Sequence, residues 1–348
     1  MAGLRERGEQ IRQFILLNVE EHPQEIATLT AQQFGITRQA VNKHIRRLVD
    51  QNALVATGST RNRHYEINPL ASQDRMYFLE DELEEDIVWQ EDVKPLLSEL
   101  PDNVKAIWYY GFTEMFNNAI DHSAGKNILV RFKKTARSTE IAIHDDGEGI
   151  FRKIQRILNL NDESHAVLEL AKGKLTTDPE NHSGEGIFFA SRMFDNFEIL
   201  SGAVYFSHDR ESLEDWISER DKTNSQRSGT SVFMELENST SRTTKEVYDR
   251  FTTDEDYGFT KTVVPVRLAQ YGGEKLISRS QAKRLLARID KFKSVIFDFT
   301  DVEAIGQAFA DEVFRVFRRQ HPEIEIMSVH ANQNVQQMIR RAETHDNA

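Results

Sequence analysis

Apolar side chains in the first seventy residues fall into short periodic runs. Within 4–19, Ile11, Phe14, Ile15 and Leu17 lie on or near one helical face. A second short helix fits 29–34, and Gly35-Ile36-Thr37 makes a tight turn whose threonine caps a third helix over 38–51. There Val41, Ile45 and Leu48 form an i, i+4, i+7 stripe, with Arg38, Gln39, Asn42, Lys43, Arg46 and Arg47 off it. Two extended runs, Leu54–Thr57 and His64–Ile67, flank a polar turn that holds Arg61 and Arg63. Further along, Ile141 and Ile143 alternate with polar residues and predict a strand reaching Asp145, and a helix is expected from Gly186 to about Asp195. From 263 the pattern alternates strand and helix, over 263–268, 281–292, 295–299, 306–319, 325–329 and 335–343. Such alternation predicts parallel strand pairs with right-handed crossovers.

Charge changes this picture. The net charge is −12, but residues 1–70 carry nine Lys/Arg against seven Asp/Glu, whereas 74–103 carry two against eleven. Eight carboxylates fall within the thirteen residues 80–92, where Leu83, Ile87 and Val88 keep a helical period. Residues 71–103 are therefore expected to form an acidic helical linker, either a solvated spacer or a mask over the basic third helix. The run lacks the D-x-D-x-D-G spacing of a calcium loop. In the N-terminal seventy residues, the order helix, helix, turn, helix, hairpin and the string FGITRQAVNKHIRRLVDQNALV resemble a winged helix-turn-helix. The resemblance implies binding of double-stranded DNA by residues 1–70. Gln39 and Asn42 suit adenine edges, Arg38, Lys43 and Arg46 suit guanine or phosphate, and Arg61 and Arg63 sit on the wing. A helical protein-interaction module with a solvated basic face shares the same pattern.

Composition narrows the class. The 348 residues are 39% hydrophobic and 29% charged, a globular balance that argues against wholesale disorder, and 17 Gly with 7 Pro excludes a fibrous chain. The absence of cysteine removes disulfides, zinc-thiolate sites and thiol nucleophiles, and suits a reducing compartment. No apolar run approaches the roughly 18 residues that a membrane span requires, and the first nine residues are charged where a secretory segment is apolar. A cytoplasmic protein that does not enter the membrane is expected.

Three motifs in order carry the candidate chemistry. Glu114-Met-Phe-Asn117-Asn118-Ala119-Ile120-Asp121-His122 sits on a predicted helix, with Glu114, Asn118 and Asp121 sharing a face. Asp145-Asp146-Gly147-Glu148-Gly149-Ile150 follows a strand, and Ser183-Gly184-Glu185-Gly186-Ile187-Phe188-Phe189-Ala190 opens a helix. A last strand begins at Gly229-Thr230. Singly these strings are weak; together, in this order, they resemble the GHKL ATPase superfamily, and SGEGIFFASRMFD is closest in style to its anti-sigma-factor serine kinases.

The resemblance covers about 140 residues and implies an α/β sandwich over 104–250, with helices on one face of a mixed sheet and ATP under a mobile lid. By that resemblance Asp145 accepts from the adenine amino group, and Gly147 and Gly149 admit the base and sugar. Asn118 ligates Mg²⁺, Asp121 belongs to the same nucleotide site, and Glu114 orients or deprotonates the attacking nucleophile. Gly184 and Gly186 present N–H groups to phosphate, and Thr230 lines the pocket. The lid is expected at 152–183, with Lys172 and Lys174 on the phosphates. Asn117, Asp121 and His122 have a plainer role open to them, capping and bracing the helix, and the scaffold also occurs in forms that bind nucleotide without hydrolysis. No helix with a histidine in an H-E/D context precedes the domain, which disfavours a two-component histidine kinase.

The strand Val295-Ile296-Phe297-Asp298-Phe299-Thr300 followed by IGQAFADEVFRVF resembles the STAS-like family, relatives of the anti-sigma-factor antagonists. That implies an α/β interaction domain over 263–348. Those antagonists take a phosphoryl group on a hydroxyl at the start of this helix; Gly306-Gln307-Ala308 offers none. Asp298, Asp301 and Asp311 fit loop caps and first-turn helix charges better than an acidic site. The whole chain is thus expected to be a multidomain α+β and α/β protein. Its expected function is DNA-binding regulation gated by ATP and Mg²⁺, as a homodimer with a protein partner for the STAS-like domain. A serine/threonine protein kinase, or an ATPase subunit of a mobile-element or defence complex, is the alternative.

Overall fold

The computed structural model describes residues 2–59, 62–175, 184–209, 214–219, 228–252, 258–270 and 275–344. Its first unit comprises α1 (Ala2–Asn18), α2 (Ile26–Phe34), α3 (Arg38–Asp50) and an antiparallel hairpin of β1 (Leu54–Thr57) and β2 (His64–Ile67). The stripe Val41, Ile45 and Leu48 packs against Ile11, Ile15, Val19, Ile26 and Leu54, closing a small core separate from the rest of the chain. The Thr37 hydroxyl accepts from Ala40 N at 3.2 Å, which starts α3, and Gly35 at φ 61° ends α2.

The second unit is a seven-stranded sheet in the order β3-β4-β5-β9-β6-β7-β8. Its strands are β3 (Ala71–Phe78), β4 (Asn127–Lys134), β5 (Ser138–Asp145), β6 (Asn196–Ser201), β7 (Val204–Asp209), β8 (Glu214–Glu219) and β9 (Thr230–Glu237). Every neighbouring pair is antiparallel, so the sheet is not the mixed one expected. Alternation sends Val130, Phe132, Ile141, Ile143, Phe197, Ile199, Val232 and Met234 to one face, where they are buried. Covering helices are α4 (Glu85–Val88), α5 (Asp102–His122), α6 (Ile150–Leu158), α7 (Glu163–Lys172), α8 (Gly186–Met193) and α9 (Thr244–Asp249). On the opposite face lie charged cross-strand pairs, Arg131 with Asp74 at 3.3 Å and Lys133 with Glu140 at 2.8 Å.

Residues 71–103 are not a linker. The first eight form edge strand β3, and beyond it Val88, Trp89, Val93 and Leu97 are buried in the main core. Val88 and Trp89 within the acidic run and Val93 and Leu97 after it are the anchors, while Ile87 stays exposed and most of the carboxylates face water. The first unit meets the second where Leu70 N donates to Lys134 O at 2.7 Å and Arg137 pairs with Glu20 at 2.9 Å.

The last unit has three parallel strands, β10 (Lys261–Pro265), β11 (Ser294–Asp298) and β12 (Glu325–Val329), in that order, as the alternation predicts. Around them pack α10 (Arg279–Leu286), α11 (Gln307–Asp311), α12 (Arg318–Gln320) and α13 (Gln333–Thr344), with a wider helical stretch, Glu312–Phe317, joining α11 to α12. The boundary expected between 250 and 263 is not a boundary of the core. One apolar cluster runs from Tyr77 to Ala342. Across the join, Phe188 and Phe189 of α8 pack at a tilt against Phe259 with centroids 4.4 and 5.0 Å away, and Phe259 meets Phe292 at 5.1 Å.

Candidate functional site

Helix α5 is anchored by Val104, Ile107, Trp108, Phe112, Met115, Phe116 and Ala119, all buried. Its next face opens on a cavity of about 280 Å³, lined by Glu114, Asn118 and His122 at successive four-residue steps. Asp121, expected on this face, is exposed and does not line the cavity. On a helix of about 3.6 residues per turn Glu114, Asn118 and His122 fan across one side centred on Asn118, whereas Asp121 falls on the other side of Glu114 from that centre.

Asp145 ends β5 at the cavity wall, 6% exposed. Its Oδ1 accepts from Gly147 N at 2.9 Å and from Thr230 N at 3.2 Å. Burial pushes the Asp145 carboxyl above its ordinary range, while these two N–H groups pull it back. Thr230 also lines the cavity, and its Oγ1 accepts from Ile150 N at 3.0 Å, fixing the start of α6.

The four motif glycines divide. A Cβ on Gly147 would fall 2.0 Å from Ser123 O, and one on Gly149, at φ +90°, 2.6 Å from Ser201 Oγ. Neither glycine lines the cavity, and each makes room for a close contact within the protein. Gly184 and Gly186 do line it, at the start of α8. A Cβ on Gly186 would sit 2.0 Å from Glu114 Oε2, so this glycine makes room for the Glu114 carboxylate.

The lysines expected on phosphate lie elsewhere. Lys172 is 1% exposed, and its Nζ donates to Glu169 Oε1 at 2.7 Å and to the carbonyls of Arg284 and Ala287 at 3.0 and 2.8 Å. Glu169 Oε2 accepts in turn from Arg288 Nη1 at 2.8 Å. Lys174 Nζ donates to Lys291 O at 3.0 Å and lies 4.8 Å from the Phe292 ring centroid. Both lysines thus tie α7 and the segment after it to the last unit. The described part of the expected lid, 152–175, is packed structure, with every residue of α7 from His165 to Lys172 buried; 176–183, including Ser183, lies outside the described residues.

Lys153 lines the cavity instead, its Nζ donating to His122 O at 2.8 Å. Sequence reasoning passed over Lys153 and gave His122 only a capping and bracing role. The helical period was their signal, since Lys153 is one turn beyond Ile150 and His122 two turns beyond Glu114. Beside Glu114, Tyr110 is hydrogen-bonded to Tyr248, and burial, the Glu114 charge and that bond raise its pKa. Burial also raises Glu185, against the pull of Lys174. Among the described residues no cluster of three His, Asp or Glu side chains is placed to hold a metal ion. Asn118 and Glu114 are oxygen donors in the cavity.

On the first unit, Arg38, Gln39, Asn42, Lys43 and Arg46 are all exposed on α3, and Arg63 is exposed after β1; Arg61 lies outside the described residues. Burial, with Arg12 and Arg47 nearby, lowers the His44 pKa on the same helix. The acidic segment does not cover this face. Asp92 binds Arg75 and accepts from Tyr77 Oη at 2.8 Å, and Asp86 accepts from Tyr109 Oη at 3.3 Å. Among the described residues no ion pair joins 80–92 to α3.

In the last unit Gly306 precedes α11, and Asp298 caps its own loop, accepting from Thr300 N at 2.9 Å and Oγ1 at 2.7 Å. A family model described as a STAS-like domain of unknown function (DUF4325) matches residues 281–336, from α10 to the first residues of α13. The C-terminal segment is therefore a STAS-like domain, as its sequence suggested. No curated protein and no solved structure matches the chain. No helix among the described residues is long and apolar enough to cross a membrane.

Proposed function

We propose that the chain is an ATP-gated DNA-binding regulator, with a GHKL-like nucleotide domain between a winged helix and the STAS-like domain. The observation that carries this is the convergence of Asp145, Asn118, Glu114, Thr230, Gly184 and Gly186, from four separated segments, on one cavity. Both backbone bonds to Asp145 fall on Oδ1, which suits Oδ2 to accept from the amino group of adenine. Asn118 suits Mg²⁺, a hard cation that keeps most of its ligands as water and phosphate oxygens, so one neutral side-chain oxygen is enough. Glu114, one turn away, would orient or deprotonate the nucleophile, and the N–H groups at the start of α8 would face phosphate.

The exposure of the polar and basic face of α3 supports the DNA reading. Gln39 and Asn42 would read base edges, while Arg38, Lys43, Arg46 and the arginines after β1 would hold phosphate or guanine. Coupling between the sites would pass through the contacts at Leu70 and Arg137, since the acidic segment lies apart from α3. As a STAS-like domain is commonly an interaction module, a protein partner would bind there, and a homodimer is the form expected on a palindromic operator.

The test is a DNA titration at fixed salt, with and without ATP and Mg²⁺, on the native chain and on Asp145→Asn. Nucleotide should shift native DNA affinity by about 5–150-fold. In Asp145→Asn the shift should vanish, because losing the adenine contact costs about 1–3 kcal/mol of nucleotide affinity. Unchanged ATP affinity in a folded Asp145→Asn would end the nucleotide assignment. Equal DNA affinity in both conditions would end the gating.

A further inference from the structure

Helix α6 carries three cations within five residues, and they are not treated alike. Arg152 faces out to Glu163 at 3.5 Å, and Arg156 pairs with Glu148 at 2.9 Å. Lys153, between them, lines the cavity and pairs with no carboxylate among the described residues. One of its three N–H donors is spent on His122 O at 2.8 Å. The Asp145 carboxylate does not serve as its counterion: Oδ1 accepts from Gly147 N and Thr230 N, and among the described residues no ion pair joins Asp145 to Lys153. A lysine with two donors left and no counterion, in a cavity that also holds a buried carboxylate, is matched by an anionic ligand group.

Its place along α5 says which group. Lys153 binds the carbonyl of His122, whereas Glu114 and Gly186 mark the other end of the cavity wall. Eight residues of helix separate Glu114 from His122, about 12 Å at a rise of about 1.5 Å per residue. Asp145 belongs to the Lys153 end, because Gly147, which donates to it, packs against Ser123, the neighbour of His122. The cavity therefore offers two anion-receptive places, the glycine N–H groups beside Glu114 and the ammonium of Lys153 near the carboxylate assigned to the base. Resting on the nucleotide assignment above, the geometry points to Lys153 as the residue that holds the sugar-proximal phosphate of an adenine nucleotide. The terminal phosphates fall to the start of α8.

Adenosine, AMP, ADP and ATP, each titrated by calorimetry into the full-length chain, test this without any turnover. The native chain should bind AMP at least about tenfold more tightly than adenosine, the worth of a charge-assisted contact. Lys153→Met should lose that step while keeping the gain from ADP to ATP; Lys153→Arg should retain most of it. Arg156→Met, on the same helix, should leave all four affinities in their native order. Thermal midpoints of the variants report whether loss of the bond to His122 O has cost the fold, and Lys153→Arg remains decisive if Lys153→Met is unstable. An undiminished step from adenosine to AMP in Lys153→Met would overturn the inference, and so would a native chain that binds ATP but prefers AMP to adenosine not at all. Failure of all four compounds to bind the native chain would overturn the nucleotide assignment itself, and the role of Lys153 with it.

Discussion

Deleting the Glu169 carboxylate should damage the fold more than deleting the Lys172 ammonium. Both groups are closed off from water, Glu169 at 4% and Lys172 at 1% exposure. In Glu169→Ala, Lys172 and Arg288 lose the carboxylate they share. The arginine side chain is 21% exposed and recovers some hydration, but the lysine has no route to solvent. Breaking a buried pair from one side costs about 3–5 kcal/mol, a large part of the roughly 5–15 kcal/mol that holds a domain together.

Lys172→Met removes its own buried charge, leaves Glu169 paired with Arg288, and orphans one hydrogen bond at each of two carbonyls, so a loss of about 1–3 kcal/mol is expected. The double variant should be less damaged than Glu169→Ala alone, because its second change removes the stranded charge. Urea unfolding followed by tryptophan fluorescence is the assay, since Trp89 and Trp108 are buried in the same core. The reasoning fails if Glu169→Ala costs less than about 1 kcal/mol, the value of an exposed ion pair. It fails equally if the double variant is no better than the single one.

Gly147→Ala would press a methyl group onto the Ser123 carbonyl, which already accepts from Glu148 N at 2.9 Å. Both sides of that contact are backbone, so a loss of about 1–3 kcal/mol or more is expected in thermal unfolding, with weaker nucleotide binding. Arg284 Nη1 donates to His165 Nε2 at 2.7 Å, which requires a neutral ring, and burial holds the His165 pKa below its ordinary 6.5. The unfolded chain then takes up a proton that the folded chain refuses. Stability should fall as pH drops below about 6.5, and His165→Gln should flatten that slope in urea midpoints. Glu114→Ala should keep ATP and Mg²⁺ binding yet lower phosphate release by about 10²-fold; an undiminished rate would assign the base elsewhere.

Much of this architecture was legible in the sequence because the physics behind it is local. Thr37 caps α3, the strands Leu54–Thr57 and His64–Ile67 fall where alternation and turn residues put them, and the strand-helix alternation after 261 yields parallel strands. What was lost depended on partners distant in the chain. Strand β3 buries only Tyr77, as an edge strand can, so its period-two signal is faint. Lys172 was expected on phosphate because nothing within ten residues announces that Arg284 and Ala287 will supply carbonyls for it. Asp145, Asn118, Glu114, Gly184, Gly186 and Thr230, singled out by their motifs, line one cavity, whereas Asp121 and His122 differ by a single residue of helical phase. Gly147 and Gly149 were found by motif, but their reason is steric, visible only once Ser123 and Ser201 are in place.

The aromatic seam through Phe188, Phe189, Phe259 and Phe292 governs how this chain can be recombined during descent. A gene fragment encoding only 281–336 would leave behind β10, one of three strands, and would carry Phe292 away from Phe259, the ring it meets edge-on. It would also strip Lys172 of the carbonyls of Arg284 and Ala287. Shuffling at that point yields two broken proteins. At Leu70 the situation is reversed, because the first unit closes its own core and touches the next through a few contacts, the packing of Ala136 and the bonds at Leu70 and Arg137 among them. The heritable cassette is thus everything from β3 onward, and what lineages can exchange with little penalty is the basic headpiece in front of it.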